Sequence, residues 1–397
     1  MNTKNKVLLA FSGGLDTTYC ARYLAVDCNM EVHTVVVNTG GFAAEDLKAI
    51  ESKAIACGVA SHTALDRTQQ LYHDVLRYCI AGNILKNNTY PLSVSAERVV
   101  QAIAIAEHAL GLSVTHVAHG STGAGNDQIR FDVIFRTLCP HIQIVTPIRD
   151  NKLTREQEIA YLVNNGVEGE WTKAAYSINQ GIWGTSIGGR ETLTSNEALP
   201  EHAWFTSNRD ARTIQPRIIA IGFEHGEPCS LDGQSMHPVD VITTLNNIGS
   251  EYQLGRDYHV GDTIVGIKGR IAFEAPAALL LIKAHHLLEK HTLSKWQLNL
   301  KDQLATWYGQ LLHEGQFLDP AMRSIEAFFD STQKHVTGKV HVALYPRHFE
   351  VQGVTSSADL MNSTFATYGE ENNAWSANDV KGFAAIAAIT SRLHNEK

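Results

Sequence analysis

"KVLLAFSGGLDTTYCARYL", Lys6 to Leu24, is the stretch whose reading decides the fold. Val7 to Phe11 is the short apolar run of a strand buried on both faces, and from Leu15 onward Tyr19, Cys20, Tyr23 and Leu24 recur at helical spacing. A Ser-Gly-Gly turn joins the two. Such a turn leaves backbone N–H groups free at a helix start, where the macrodipole adds partial positive charge, so an anion can settle there. A glycine turn capped by Ser12 or Asp16 is the plainer reading. The position of the turn, between a hydrophobic strand and a helix, favours nucleotide binding. It is not a Walker loop, because no lysine follows Gly14, and Ser12 to Thr17 lacks the Gly-x-Gly-x-x-Gly of dinucleotide sites.

Outward from this turn, strand and helix patterns alternate. Strands are predicted at Glu31–Thr39, Ser61–Leu65, Thr115–Ala118 and Ile142–Pro147. Helices are predicted at Ala43–Cys57, Thr68–Ile80, Ser95–Leu110, Asn126–Leu138 and Thr154–Asn165. The alternation implies an α/β fold with a doubly wound parallel sheet, whose ligands gather at the carboxyl ends of the strands. From about Asn165 to Trp171 the periodicity gives way to a glycine-rich stretch, which places a domain boundary there. The expected division is 1–167 for a nucleotide-binding domain, 168–357 for an α+β domain and 358–397 for a C-terminal helical tail. In the second part, Arg217–Phe223, Asp262–Lys268 and Lys339–Tyr345 read as strands, and Ala275–His313 as a helix pair. The tail carries the apolar run "GFAAIAAI", which suggests packing against another subunit.

Bulk composition narrows the class. The 397 residues are 44% hydrophobic and 19% charged, ordinary for a globular chain of two domains. Against 41 Asp and Glu stand 33 Lys and Arg, a net charge of −8 that argues against nucleic acid as the main partner. No apolar run reaches membrane-spanning length, and "MNTKNK" leads straight into the first strand, so a cytoplasmic location is expected. The cysteines at 20, 28, 57, 79, 139 and 229 show no Cys-x-x-Cys pair and no zinc spacing, as expected of buried, reduced thiols.

A second motif, "AHGSTGAGNDQIRFD" from Ala118 to Asp132, also follows a strand and opens a helix. Gly120, Gly123 and Gly125 permit close backbone approach, whereas capping by Asn126 or Asp127 would need only one such residue. The first loop resembles the Ser-Gly-Gly-x-Asp-Ser/Thr loop of the ATP pyrophosphatases. Taken with "TYPLSVSAER" and "YSINQGIWGTS", in this order, the chain resembles the argininosuccinate synthases.

That resemblance implies a ligase in arginine biosynthesis. The ureido oxygen of citrulline would attack the α phosphorus of ATP, pyrophosphate would leave, and the amine of aspartate would displace AMP. ATP would lie on Ala10, Phe11, Ser12, Gly13, Gly14, Leu15, Asp16, Thr17 and Thr18, with Val37 and Gly120 at the adenosine. Thr122, Asn126 and Asp127 would bind aspartate; Tyr90, Ser95, Asn126, Arg130, Ser177 and Ser186 would hold citrulline. Asp16, Asp127 and Arg130 would stand at the reacting centre. Mg²⁺ would ride on the ATP phosphates, and the family implies a homotetramer joined by C-terminal helices.

Four residues depart from the family pattern: Ala124 for lysine, Asn179 for an acidic residue, Gly261 for a citrulline-binding glutamate and Phe273 for a tyrosine. Two of these strip charge or polarity from the end that grips citrulline's α-amino group, which suggests an N-acylated citrulline as acceptor. Plain citrulline bound through Asp257, Asp262 or Glu191 is the alternative. A tRNA-modifying enzyme on the same fold would need a basic face and often a cysteine pair, and an amidotransferase would need a glutaminase domain. Neither is visible.

Overall fold

The computed structural model describes residues 4–167, 169, 176–211, 214–366, 368–370 and 372–396. The boundary expected at 165–171 therefore lies partly outside the described residues.

The first layer is built as the alternation predicts. β1 (Lys6–Ala10), β2 (Glu31–Asn38), β3 (Ser61–Asp66), β4 (His116–Ala118) and β5 (Gln143–Val145) form an all-parallel sheet in the order β3-β2-β1-β4-β5. Side chains alternate across it. Val7 and Leu9 join Tyr19 and Leu24 of α1 (Leu15–Val26) on one face, along with α2 (Ala44–Ala56), while Leu8 joins Phe131 and Phe135 on the other. The predicted helix at 68–80 is three consecutive pieces, α3 (Thr68–Leu71), a π turn (Tyr72–Leu76) and α4 (Arg77–Ala81). α5 (Ser93–Leu112), α6 (Asp127–Leu138), α7 (Pro147–Asn151) and α8 (Arg155–Asn164) complete this part. Pro147 opens α7 rather than ending a strand, as its fixed φ suits a first helical turn.

Two antiparallel sheets follow. One has the order β11-β12-β7-β6, from β6 (Ser177–Gly181), β7 (Gly184–Gly188), β11 (Arg256–Asp262) and β12 (Lys268–Glu274). The other runs β10-β9-β8-β13-β14, from β8 (Arg217–Glu224), β9 (Glu227–Leu231), β10 (Gln234–Ser235), β13 (Gly338–Tyr345) and β14 (His348–Thr355). The expected strand Asp262–Lys268 is instead the turn between β11 and β12. Thr263 N–H donates to the Ile267 carbonyl at 2.7 Å, and Gly266 takes φ +86, a conformation most residues resist. α9 (Pro238–Glu251), the helix pair α10 (Pro276–Thr292) and α11 (Lys295–His313), and α12 (Pro320–Gln333) pack around these sheets. α13 (Ala377–Ala387) and α14 (Ile389–Asn395) form the tail and bury none of their described residues; Phe383, Ile386 and Leu393 face solvent.

The two parts share a core. Leu71, Val75, Leu76, Ile80, Leu92 and Val99, from the first part, pack in one cluster with Phe223, Leu281 and Phe329 from the second. A buried polar network runs through it. Lys301 Nζ, fully buried, lies 3.0 Å from Glu289 Oε2 and donates to the Ala81 carbonyl at 3.0 Å. Asn83 Nδ2 and Gln333 Nε2 donate to the two Glu289 oxygens at 2.6 and 2.9 Å. The cysteines are free: Cys20, Cys57, Cys79 and Cys139 are buried as expected, whereas Cys28 is exposed and Cys229 half-buried.

Candidate active site

Strand order reverses between β1 and β4, and the crevice beyond their carboxyl ends is where an open parallel sheet binds ligands. Both motif loops leave from there. Gly13 stands at φ +74, with Ile50 Cγ1 only 3.3 Å from where a Cβ would sit. Its carbonyl accepts from Lys53 Nζ at 2.7 Å, so α2 grips the loop from outside. Gly14 is the N-cap of α1 and no side chain caps that end, which leaves the helix start to an anion. The hydroxyls of Thr17 and Thr18 turn back to the Gly14 carbonyl at 3.3 and 2.7 Å, and Ser12 Oγ lies 3.5 Å from Thr17 Oγ1. Phe11 and Leu15 are buried and anchor the loop; Ala10 ends β1, and Val37 is the last residue but one of β2. At Gly120 a Cβ would come within 3.2 Å of the Asp16 carbonyl carbon, so the two loops meet there backbone to backbone.

Beneath the first loop, Asp16 and Glu158 share a hydrogen bond. Burial first, then the Asp16 charge, pushes the Glu158 carboxyl up to about 8. Asp16 is also raised by burial, with the bond from Glu158 opposing that rise, so Glu158 is the partner that keeps its proton. The folded chain thus holds a proton that an unfolded Glu158, near its ordinary 4.5, would release. Stability from this pair is full below 4.5 and is lost as pH climbs through about 8. Glu158→Gln is therefore expected to match the parent in Tm near pH 4.5 and to rise above it towards pH 8. Thermal melts across that range check this, and parallel curves would refute it.

The second loop hands its polar side chains to distant elements rather than to its own helix. Asn126 Oδ1 accepts from Ile264 N at 2.9 Å, drawing the β11–β12 turn over the site. Asp127 lies between two guanidiniums: Arg98 Nε donates to Oδ2 at 2.8 Å and Arg130 Nη1 to Oδ1 at 2.9 Å. Burial works to raise the Asp127 carboxyl, and the two arginines outweigh it and hold it below the usual range. Arg98 also reaches Asn179 Oδ1 at 2.5 Å. Arg130, buried, donates from Nε to the His313 carbonyl at 3.0 Å, with Nη2 3.3 Å from His313 Nδ1. A two-pronged hold on a substrate carboxylate would require these partners to let go. Thr122 and Ala124 lie exposed on the loop.

A third group gathers around Tyr90. Its hydroxyl lies 3.0 Å from Ser93 Oγ, and its ring meets Phe273 and His259, each with centroids 5.2 Å apart. Phe273 pairs with Ser186, and Ser186 with Asn179, across β12, β7 and β6, so the three share a face; Ser177, two residues along β6, shares it too but is exposed. The Ser95 and Ser186 hydroxyls are buried with no hydrogen-bond partner among the described residues, as cradle groups awaiting a ligand would be.

Two family models match the chain, the Arginosuccinate synthase N-terminal HUP domain over residues 6–168 and the Arginosuccinate synthase C-terminal domain over 176–394. The chain belongs to the argininosuccinate synthase family. These are ligases that form a carbon–nitrogen bond, with ATP as co-substrate, in arginine biosynthesis. Among curated relatives, the chain is 35% identical to the argininosuccinate synthase of Rubrobacter xylanophilus over 98% of its own length and 94% of that protein's. It is 34% identical to those of Pelodictyon phaeoclathratiforme, over 99% and 98%, and Methanocaldococcus jannaschii, over 92% of each chain.

Against that family pattern the departures have structural sense. Asn179 serves Arg98 with a neutral oxygen. At Gly261, a Cβ would sit 2.8 Å from His259 Nε2 and 3.2 Å from Asn87 Nδ2, so a side chain there would have to push the imidazole edge and the Asn87 amide aside. Sequence reading missed Arg98, Lys53, Glu158 and Glu97. Glu97 and Arg98 close the quoted motif "TYPLSVSAER" and were the two with a signal. Glu97 fills the space beside Gly181 where no Cβ fits, and burial first, with Asp127 adding, pushes it up to about 8.

Proposed function

We propose that the chain condenses an acceptor of the citrulline type with aspartate through an adenylylated intermediate. The meeting of the two loops at Gly120 is the observation that carries this. A nest of amides at the start of α1 would hold the outer phosphates of ATP, leaving the α phosphorus to the ureido oxygen of the acceptor. Aspartate would lie against the loop of Thr122, Asn126 and Asp127, its amine turned towards the carbon from which AMP departs. The work asked of the protein is positioning and charge neutralisation, and no covalent nucleophile is required.

Magnesium fits as a passenger on the phosphates. Among the described residues no group of three or more His, Cys, Asp or Glu side chains is placed to cage a metal, while Asp16 and the Ser12 and Thr17 hydroxyls stand at the phosphate end. Bound there, it would neutralise the charge on the leaving pyrophosphate.

The acceptor we favour is an N-acylated citrulline. His259 stands where the family's glutamate would have to go, and Phe273 offers no hydroxyl. A charged α-amino group would then lack the carboxylate that the family's glutamate offers it. The test supplies ATP, magnesium and aspartate with citrulline, N-acetylcitrulline or N-succinylcitrulline. AMP and pyrophosphate are expected only when acceptor and aspartate are both present, with the higher kcat/KM on an acylated form. ADP and inorganic phosphate as products would overturn the reading; a preference for free citrulline would remove its acyl part alone.

The exposed apolar side chains of α13 and α14 support assembly with other copies, and we propose a homotetramer joined through this tail. No described helix is long and apolar enough to cross a membrane. A cytoplasmic location is part of the same proposal.

A further inference from the structure

We propose that His259 is a substrate-recognition residue, its Nδ1 making the hydrogen bond that holds the acylated amine of the acceptor. This deepens the acceptor reading above and rests on it. His259 and Gly261 stand two apart on β11 and so share a face. The imidazole stacks on Tyr90, its plane 26° from the phenol ring, and its Nε2 edge closes the space at Gly261. His259 is more than nine-tenths buried, yet Nδ1 meets no partner among the described residues. Leaving such an atom unmet is costly, so its presence beside Tyr90 points to a ligand that satisfies it.

The surroundings say what kind of ligand. Burial first, and then the Lys86 charge, lowers the His259 imidazole, which is therefore neutral near pH 7. His313 next to it is pushed down to about 3 by burial, then by Arg130 and Lys86. The two carboxylates of β11 are engaged elsewhere, Asp262 with Lys268 at 2.6 Å and Asp257 with the Tyr258 N–H at 2.7 Å. Lys86 is answered by Glu314 and Asp262, and Arg130 by Asp127, so an ammonium entering here would find at His259 only a neutral nitrogen. A secondary amide carries no charge. It presents a carbonyl to Nδ1–H or an N–H to an unprotonated Nδ1, so either tautomer finds a partner.

The experiment measures kcat/KM for citrulline, N-acetylcitrulline and N-succinylcitrulline with saturating ATP and aspartate, in the parent, His259→Leu and His259→Asn. The expected result is a parent that prefers the acylated acceptors and a His259→Leu variant that loses at least about tenfold on both of them, one hydrogen bond's worth. Its KM for ATP and aspartate stays unchanged, the loss on free citrulline is several-fold smaller than on the acylated forms, and His259→Asn, whose δ atoms take the place of Nδ1, restores the acylated activity in large part. Should the leucine variant not fold, His259→Gln, whose amide reaches the Nε2 position and not that of Nδ1, is read in the same way. A parent that prefers acylated acceptors while the variants keep that preference would overturn the role of His259 and leave the acyl reading standing. Equal loss on all three acceptors, or loss on the N-succinyl form alone, would also overturn it. A parent that prefers free citrulline would sink both.

Discussion

Asp127→Asn is expected to lower the unfolding free energy by about 2–4 kcal/mol and to abolish measurable product formation. The reason lies in what the carboxylate separates. Arg98 and Arg130 each donate to a different Asp127 oxygen, at 2.8 and 2.9 Å, and neither has another carboxylate among its hydrogen bonds to the described residues. An amide of equal size cannot balance two guanidiniums, so they would repel across the mouth of α6. The same repulsion would shift Asn126 and the β11–β12 turn that it holds through Ile264. Urea unfolding of the ligand-free protein measures the first effect, and steady-state assays with varied aspartate measure the second. An Asp127→Asn protein as stable and as active as the parent would mean that the two arginines are balanced by other groups.

Glu289→Ala is the second large effect, about 3–5 kcal/mol of stability, because it strands the fully buried Lys301 ammonium. Burial works to raise the Glu289 carboxyl, and His285 and Lys301 overcome that, so the group is held as the anion the lysine needs. Replacing both partners with apolar residues of similar size, Glu289→Leu with Lys301→Met, is expected to restore most of the loss, since no uncompensated charge is then left inside. Denaturant titration of the two single variants and the double variant reads the coupling directly. The loss should reach acceptor binding as well, because Lys301 and Glu289 hold Ala81, the last residue of α4, and Asn83, on the connection to α5 that carries Tyr90.

The parallel sheet and both loops were legible because their signals are local: an apolar run, a glycine turn and a helical repeat within about twenty residues of each other. The turn at 263–267 was misread for a related reason. Ile264, Val265 and Ile267 imitate a strand, yet Val265 and Ile267 are exposed, and the reversal depends on Gly266. What the sequence could not show are partnerships across the chain. Arg98 needs Asp127 and Asn179, Arg130 needs His313, and Asn126 needs Ile264, and no pattern within one segment announces any of them. His259 was invisible likewise, as its meaning comes from Tyr90 and from the empty position at Gly261.

The shared core has a consequence for how the molecule is made. As the chain leaves the ribosome, β1 to β5 can pair early, but the apolar sides of α3, α4 and the start of α5 must wait for Leu281, Phe329 and Val340. Until those arrive, a greasy flank stays open beside a nearly finished sheet. A nascent polypeptide of this kind is expected to gain from holding chaperones for that interval, and one truncated after the first sheet would be expected to clump rather than bind nucleotide.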